Sequence, residues 1–225
     1  VGDVNYVRNS VKAVVDMYDG TTDFYVFDDK DPLIQAYGKM IPGLFKSRDQ
    51  MPQGLRAHVR MSEDFFQKVA ETYKKYHMSA PRVFYNKEDV WVTGQEVHWV
   101  GEKQDVLPYY IVENLSGRTE LVLMLPFTPR NKQNMVGWLA GRIEGEEYGT
   151  FLVYTFPKQV MVYGTLQVES MINQSPEISE KITLWNQQGS KVAYGNLLVI
   201  PVEDVLLFVE PLFIVSDTNP MPQLQ

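Results

Sequence analysis

Apolar and polar positions alternate at the start of the chain. Val11, Ala13, Val15 and Met17 interleave with Lys12, Val14, Asp16 and Tyr18; beyond Asp19-Gly20, Thr22, Phe24 and Val26 interleave with Asp23, Tyr25 and Phe27. A period of two is that of a half-buried strand. An Asp-Gly pair between two such runs predicts a hairpin with a two-residue turn, because glycine takes positive φ at little steric cost. The spacing then becomes helical. Asp31-Pro32 reads as an N-cap followed by proline in the first turn, opening a helix to about Met40 that stops before Pro42-Gly43. A longer helix is predicted from Ser62 to about Tyr76, with Ser62 as cap, Glu63 and Asp64 favourable to the helix dipole, and Phe65, Phe66, Val69 and Tyr73 on one face.

From Arg82 onward the pattern returns to strands: Val83-Phe84-Tyr85, Val90-Trp91-Val92, and a hairpin of Tyr109–Glu113 with Glu120–Leu125 turning near Ser116-Gly117. Thr128-Pro129 reads as the cap of a helix to about Arg142, Tyr148–Phe156 as a strand, and Leu166–Ile172 and Pro176–Gln187 as two helices. A last hairpin pairs Asn196–Val202 with Val205 to about Ile214 across Glu203-Asp204. Its Leu197-Leu-Val-Ile200 arm is apolar at every position, the mark of a strand covered on both faces. Hairpins interleaved with helices predict an α+β fold with an antiparallel or mixed sheet. Residues 1–215 are read as one domain, with a division into two packed lobes near 100–108 as the alternative, and 216–225 as a tail. The segment Glu144-Gly-Glu-Glu147 is the expected exposed acidic tip.

Composition narrows the chemistry. The 225 residues include no cysteine, which excludes disulfides, thiolate metal sites and a cysteine nucleophile. No apolar run reaches the roughly 18 residues of a membrane span, and no signal peptide is visible. Because the chain opens with Val1, an upstream segment is expected to have been removed. The net charge of −7 is uneven: residues 39–87 carry ten Lys/Arg against four acids, a local +6, leaving −13 for the remainder. A basic segment on an acidic chain docks on its own acidic part, is solvated, or meets an anionic partner such as a lipid headgroup surface or a polyanion. Nucleic acid is excluded as partner by the acidic whole and the lack of a recognition motif.

Candidate residues follow from local context. With a two-residue turn, Asp16 lies opposite Asp23, and a hard cation such as calcium would relieve their repulsion; the spacing is not that of a calcium loop, and exposure to water would serve as well. No other cofactor is expected, since no phosphate-cradling glycine loop occurs, and His58, His77 and His98 have no zinc-binding spacing. His77, ending the longer helix, suits its dipole. Glu210 stands in an otherwise apolar run, Leu206–Val215. Burial would raise its pKa and equip it for proton transfer, whereas an ion pair or backbone hydrogen bonds would make it structural. Arg130 and Asn131, placed at the expected helix start, combine a guanidinium with free N–H groups and suit an anion. Lys68, Lys74 and Lys75 are the candidates for anionic lipid. Tyr109, Tyr110, Trp91 and Trp99 are candidate groove or core aromatics.

Several runs in order carry a resemblance: Asn5–Gly20, Leu55–Phe66, Tyr76–Asn86, Pro126-Phe-Thr-Pro-Arg-Asn131, Tyr194–Val202 and Val209-Glu-Pro-Leu212. Together they resemble Uncharacterised Protein Family 0182, large bacterial multi-pass membrane proteins. The resemblance implies that this chain is a soluble extracytoplasmic part of a cell-membrane protein, with the rest of that protein as a partner. It transfers no activity and no site residues. Two readings stand on the residues: a non-enzymatic module binding a partner protein, envelope polymer or anionic lipid, and a hydrolase-like or metal-dependent domain using Asp16, Asp23, Glu210 or Arg130.

Overall fold

The computed structural model describes residues 6–98, 101–115, 117–143, 147–187, 189–203, 205–218 and 221–225. The acidic tip at 144–146, Trp99, Ser116 and Asp204 therefore lie outside the described residues.

β1 (Val11–Val15) and β2 (Thr22–Val26) form the first hairpin, but in a different register from the expected one: Val14 faces Asp23 and Val15 faces Thr22. The link runs over residues 16–21. Asp16 and Asp19 hold it with their side chains, accepting from the N–H groups of Tyr18 (2.7 Å) and Thr21 (2.9 Å). Local side-chain acceptors of this kind compete with the tight turn that Asp-Gly favours. Asp16 and Asp23 are thus not opposed. Asp23 instead pairs with Lys46 at 2.7 Å.

α1 (Pro32–Met40) follows, capped by Asp31, whose carboxylate accepts from Leu33 N at 3.0 Å and Ser10 Oγ at 2.6 Å. β3 (Phe45–Ser47) then lies parallel to β2. A 3-10 turn (Arg48–Gln50) and α2 (Gln53–Arg56) lead to α3 (Glu63–Tyr76), capped by Ser62. α4 (Pro81–Asn86) replaces the strand expected at Val83-Phe84-Tyr85. Its proline sits in the first turn and Lys87 closes it in the left-handed region (φ 54), so end signals outweigh the strand preference of the aromatics.

The core is a five-stranded sheet. β4 (Trp91–Thr93) is followed by a small hairpin of β5 (Gln95–His98) and β6 (Glu102–Asp105), then by β7 (Tyr109–Leu115), β8 (Arg118–Pro129), β9 (Gly137–Arg142) and β10 (Phe151–Thr155). β8 is the spine: β9 lies along one edge, while β7 and β4 share the other. Positions 122–128 of β8 are all buried, which in a strand means that both faces are covered.

The helix expected from Thr128-Pro129 to Arg142 is the end of β8, a turn and β9. Gly137 and Gly141 explain why a strand wins. A Cβ at Gly137 would come within 2.1 Å of the Tyr154 carbonyl, and one at Gly141 within 3.0 Å of the Phe66 ring. The close approaches of β10 and α3 therefore need glycine in a strand. Phe66 and Ala70 of α3 are fully buried against this sheet.

α5 (Thr165–Gln174) and α6 (Pro176–Trp185) occur as expected, parted at Ser175. β11 (Ser190–Tyr194), β12 (Leu198–Val202), β13 (Val205–Val209), β14 (Leu212–Ser216) and β15 (Gln223–Leu224) complete the chain. β12 and β13 form the expected hairpin; β14 breaks away after Pro211 to pair with β11. Leu197, just before β12, and Val199 within it are fully buried, and Leu198 and Ile200 partly so. The fold is α+β with antiparallel and mixed sheets, as the pattern predicts.

Candidate functional site

The end of β8, the turn after it, the β5–β6 hairpin and the start of α5 enclose a polar groove of about 650 Å³. Its floor is Lys74, Thr93, Thr128 and Thr165, and Lys103, Arg130 and Lys132 project around it. Lys74 is buried and already engaged: its ammonium donates to Thr93 Oγ1 at 3.0 Å and pairs with Glu71. Lys103, Arg130 and Lys132 form no ion pair among the described residues. Asp105, the other acid of the wall, accepts from Gln95 Nε2 at 3.2 Å. The groove is therefore net positive, with charges free to meet an anion.

A turn places these cations. Arg130 N donates to Val90 O at 3.0 Å and Lys132 N to Pro129 O at 3.1 Å, which folds residues 129–132 over the edge of β4. Arg130 and Asn131 are thus on a strand-to-strand turn, and the anion rationale based on a helix N-terminus is corrected. Both residues line the groove. Arg130, Asn131 and Lys132 also border a second cavity of about 550 Å³, which adds Lys87, Lys158, Trp91, Phe156 and Val160. The two cavities adjoin across this turn, the first polar and the second partly apolar.

Behind the groove, three carboxylates sit at one junction. Thr165, the first residue of α5, hydrogen-bonds to Gln95 O; one turn further on, both oxygens of the buried Glu169 accept from Val97 N at 2.8 and 2.9 Å. Glu96 is also buried, accepting from Leu197 N (2.9 Å) and Gln104 Nε2 (2.9 Å). Both oxygens of Glu210 are closed off from solvent and have no hydrogen-bond partner among the described residues, so neither the ion pair nor the backbone bonds expected for it are formed there. Burial, with Glu169 and Glu96 adding like charge, pushes Glu210 up to about 8. Burial likewise pushes Glu169 up to about 7, and raises Glu96. Among the described residues, no group of three His, Asp or Glu is placed to hold a metal ion.

The remaining candidates lie elsewhere. Lys68 and Lys75 line a shallow apolar groove on α3 with Phe65, Tyr73 and Tyr76, whereas Lys74 turns inward, so the three lysines are not one lipid-facing set. Tyr109 is core, exchanging hydrogen bonds with the backbone of Val199 at 2.9 and 3.0 Å. His77 caps α3 and stacks on Trp91 at 3.9 Å. Asp16, Asp23, Glu210 and Arg130 sit on a hairpin loop, a strand, the link after β13 and the turn after β8; Arg130 lines both cavities described above, and none of the other three lines either. Sequence reasoning missed Lys103, Lys132, Glu96 and Glu169. The charged residues of β5 and β6 hid that hairpin, and nothing local to Glu169 marks it as buried.

The description Uncharacterised protein family (UPF0182) fits residues 1–185. The chain is 50% identical over 223 residues to a UPF0182 protein of Pelotomaculum thermopropionicum, covering 98% of this chain and 24% of that protein. It is 51% identical over 222 residues to one of Microcystis aeruginosa, covering 98% of this chain and 23% of that protein. With a UPF0182 protein of Trichlorobacter lovleyi it shares 48% identity over 226 residues, 100% of this chain and 25% of the relative. The chain therefore spans about a quarter of the length of the curated relatives it matches. No solved structure matches.

Proposed function

The chain belongs to the uncharacterised protein family UPF0182, and from that premise we propose that it is a non-enzymatic binding module for an extended anionic polymer of the cell envelope. The observation that carries this reading is the turn at Arg130–Lys132, whose two cations, without an ion pair among the described residues, border two adjoining cavities. A small anion needs one such pocket. Two in sequence, one polar and one with Trp91, Phe156 and Val160 in its wall, suit a chain that alternates charge with apolar surface. In this reading the module faces the extracytoplasmic side of a membrane-anchored parent, whose other portions are its partners. Consistent with this, the relatives are much longer, and no described helix is long and apolar enough to cross a membrane.

The test is binding of a sulfated dextran of defined length to the intact chain at low salt. The double variant Arg130→Glu/Lys132→Glu is expected to weaken binding roughly tenfold or more, and binding by the unaltered chain to fall with salt as counterions are released. Lys68→Glu/Lys75→Glu is expected to change it less than about threefold. If the α3 variant loses binding and the turn variant keeps it, the ligand lies on α3 and the reading fails.

A further inference from the structure

Glu96, Glu169 and Glu210 are brought together from β5, α5 and the link between β13 and β14, and the groove does not use them directly. Their surroundings are shared with its wall. Gln95 lines the groove two residues before Val97, whose N–H both Glu169 oxygens hold. Thr165 lies in the floor one helical turn before Glu169. Lys103, on β6, projects at the groove and also acts electrostatically on Glu169. The other titratable groups facing the cluster are His98 on β5, Tyr109 on β7 and Tyr194 on β11. Tyr194 donates its hydroxyl to Asn173 Oδ1 at 3.2 Å, so it is engaged on α5. Three carboxylates at a largely buried junction, one with neither oxygen partnered among the described residues, cannot all ionise freely and hold protons as a coupled group.

Resting on the reading of the groove as an anion site, we propose that binding there is proton-linked: entry of the anion drives a proton onto the Glu96–Glu169–Glu210 cluster, so the module holds its ligand more tightly in acid than in alkali. The ionised cluster places negative charge directly behind the wall and draws on the Lys103 ammonium. A proton on the cluster removes that repulsion and leaves Lys103 to the ligand. By linkage the converse holds, and a bound anion raises the cluster's hold on its protons.

The probe is again sulfated dextran, whose charge does not titrate in the working range. Binding to the intact chain is measured calorimetrically near pH 6 and near pH 8.5, in two buffers of different ionisation enthalpy and at constant ionic strength. The expected result is a loss of roughly tenfold in affinity across that range, with net proton uptake on binding. Glu169→Gln, which keeps an acceptor for Val97 N, is expected to bind near pH 6 and to lose most of the pH dependence. Glu210→Gln provides a second variant further from the groove. Binding that is intact but independent of pH, without proton uptake, overturns the linkage and leaves the groove reading standing. A pH dependence that persists unchanged in both variants belongs to groups outside the cluster and also overturns it. Absence of binding by the unaltered chain at both pH values overturns the groove reading and the linkage with it.

Discussion

Glu210→Gln should make the protein more stable at alkaline pH. In the folded chain the Glu210 carboxyl titrates at about 8, against an ordinary value of 4.5, because burial and the neighbouring Glu169 and Glu96 oppose its charge. The folded state therefore binds more protons than the unfolded state between these two values. Stability must fall as pH rises from about 4.5 through about 8 and level off above that. A shift of this size would correspond to nearly 5 kcal/mol for an isolated, fully buried group. Glu210 as a residue is only partly buried, and it shares its protons with two neighbours, so about 2–3 kcal/mol is expected in practice. The amide has nearly the same shape and never ionises. Near pH 5 the variant should match the parent within about 1 kcal/mol, and near pH 9 it should be about 2–3 kcal/mol more stable. Urea unfolding followed by tryptophan fluorescence at both pH values measures the difference. Some pH dependence should survive in the variant, since Glu169 still titrates at about 7. Parent and variant curves that stay parallel at both pH values would refute a buried, proton-holding Glu210.

Two further expectations concern the scaffold. Gly137→Ala should abolish or severely impair folding, because the added methyl would lie 2.1 Å from the Tyr154 carbonyl where β9 and β10 begin to pair; soluble yield and circular dichroism would show it. Arg142→Met should cost about 2–4 kcal/mol. It removes the two-pronged hold on Glu120, which faces Glu113 across β7 and β8 and would then be left as a like-charge pair; thermal melting measures that loss.

The helices announced themselves through their ends: Asp31-Pro32 and Ser62 with Glu63 and Asp64 both cap as their chemistry requires. Pairing information was weaker, because it depends on residues distant in sequence. The Asp-Gly signal located the first turn, but the carboxylates of Asp16 and Asp19 captured the backbone and lengthened it. Thr128-Pro129 imitates a helix start, and only the approach of β10 and α3 to Gly137 and Gly141 reveals a strand. The site was partly legible. Arg130 and Asn131 were singled out for a helix start that is in fact a turn, and Glu210 because a charged residue in an apolar run is conspicuous. Glu96 and Glu169 stand in stretches of mixed polarity and are buried where α5 packs on the β5–β6 hairpin.

The groove itself can be tested without any substitution. Backbone amide shifts of the intact, isotope-labelled chain, followed during titration with sulfated dextran, report where the polymer lies. Changes are expected to cluster at Thr128–Lys132 apart from Pro129, which has no amide proton, and at Gln95, Lys103 and Thr165. Changes confined to Lys68, Lys75 and the outer side of α3, or no saturable change anywhere, would contradict an anion-binding groove at Arg130–Lys132.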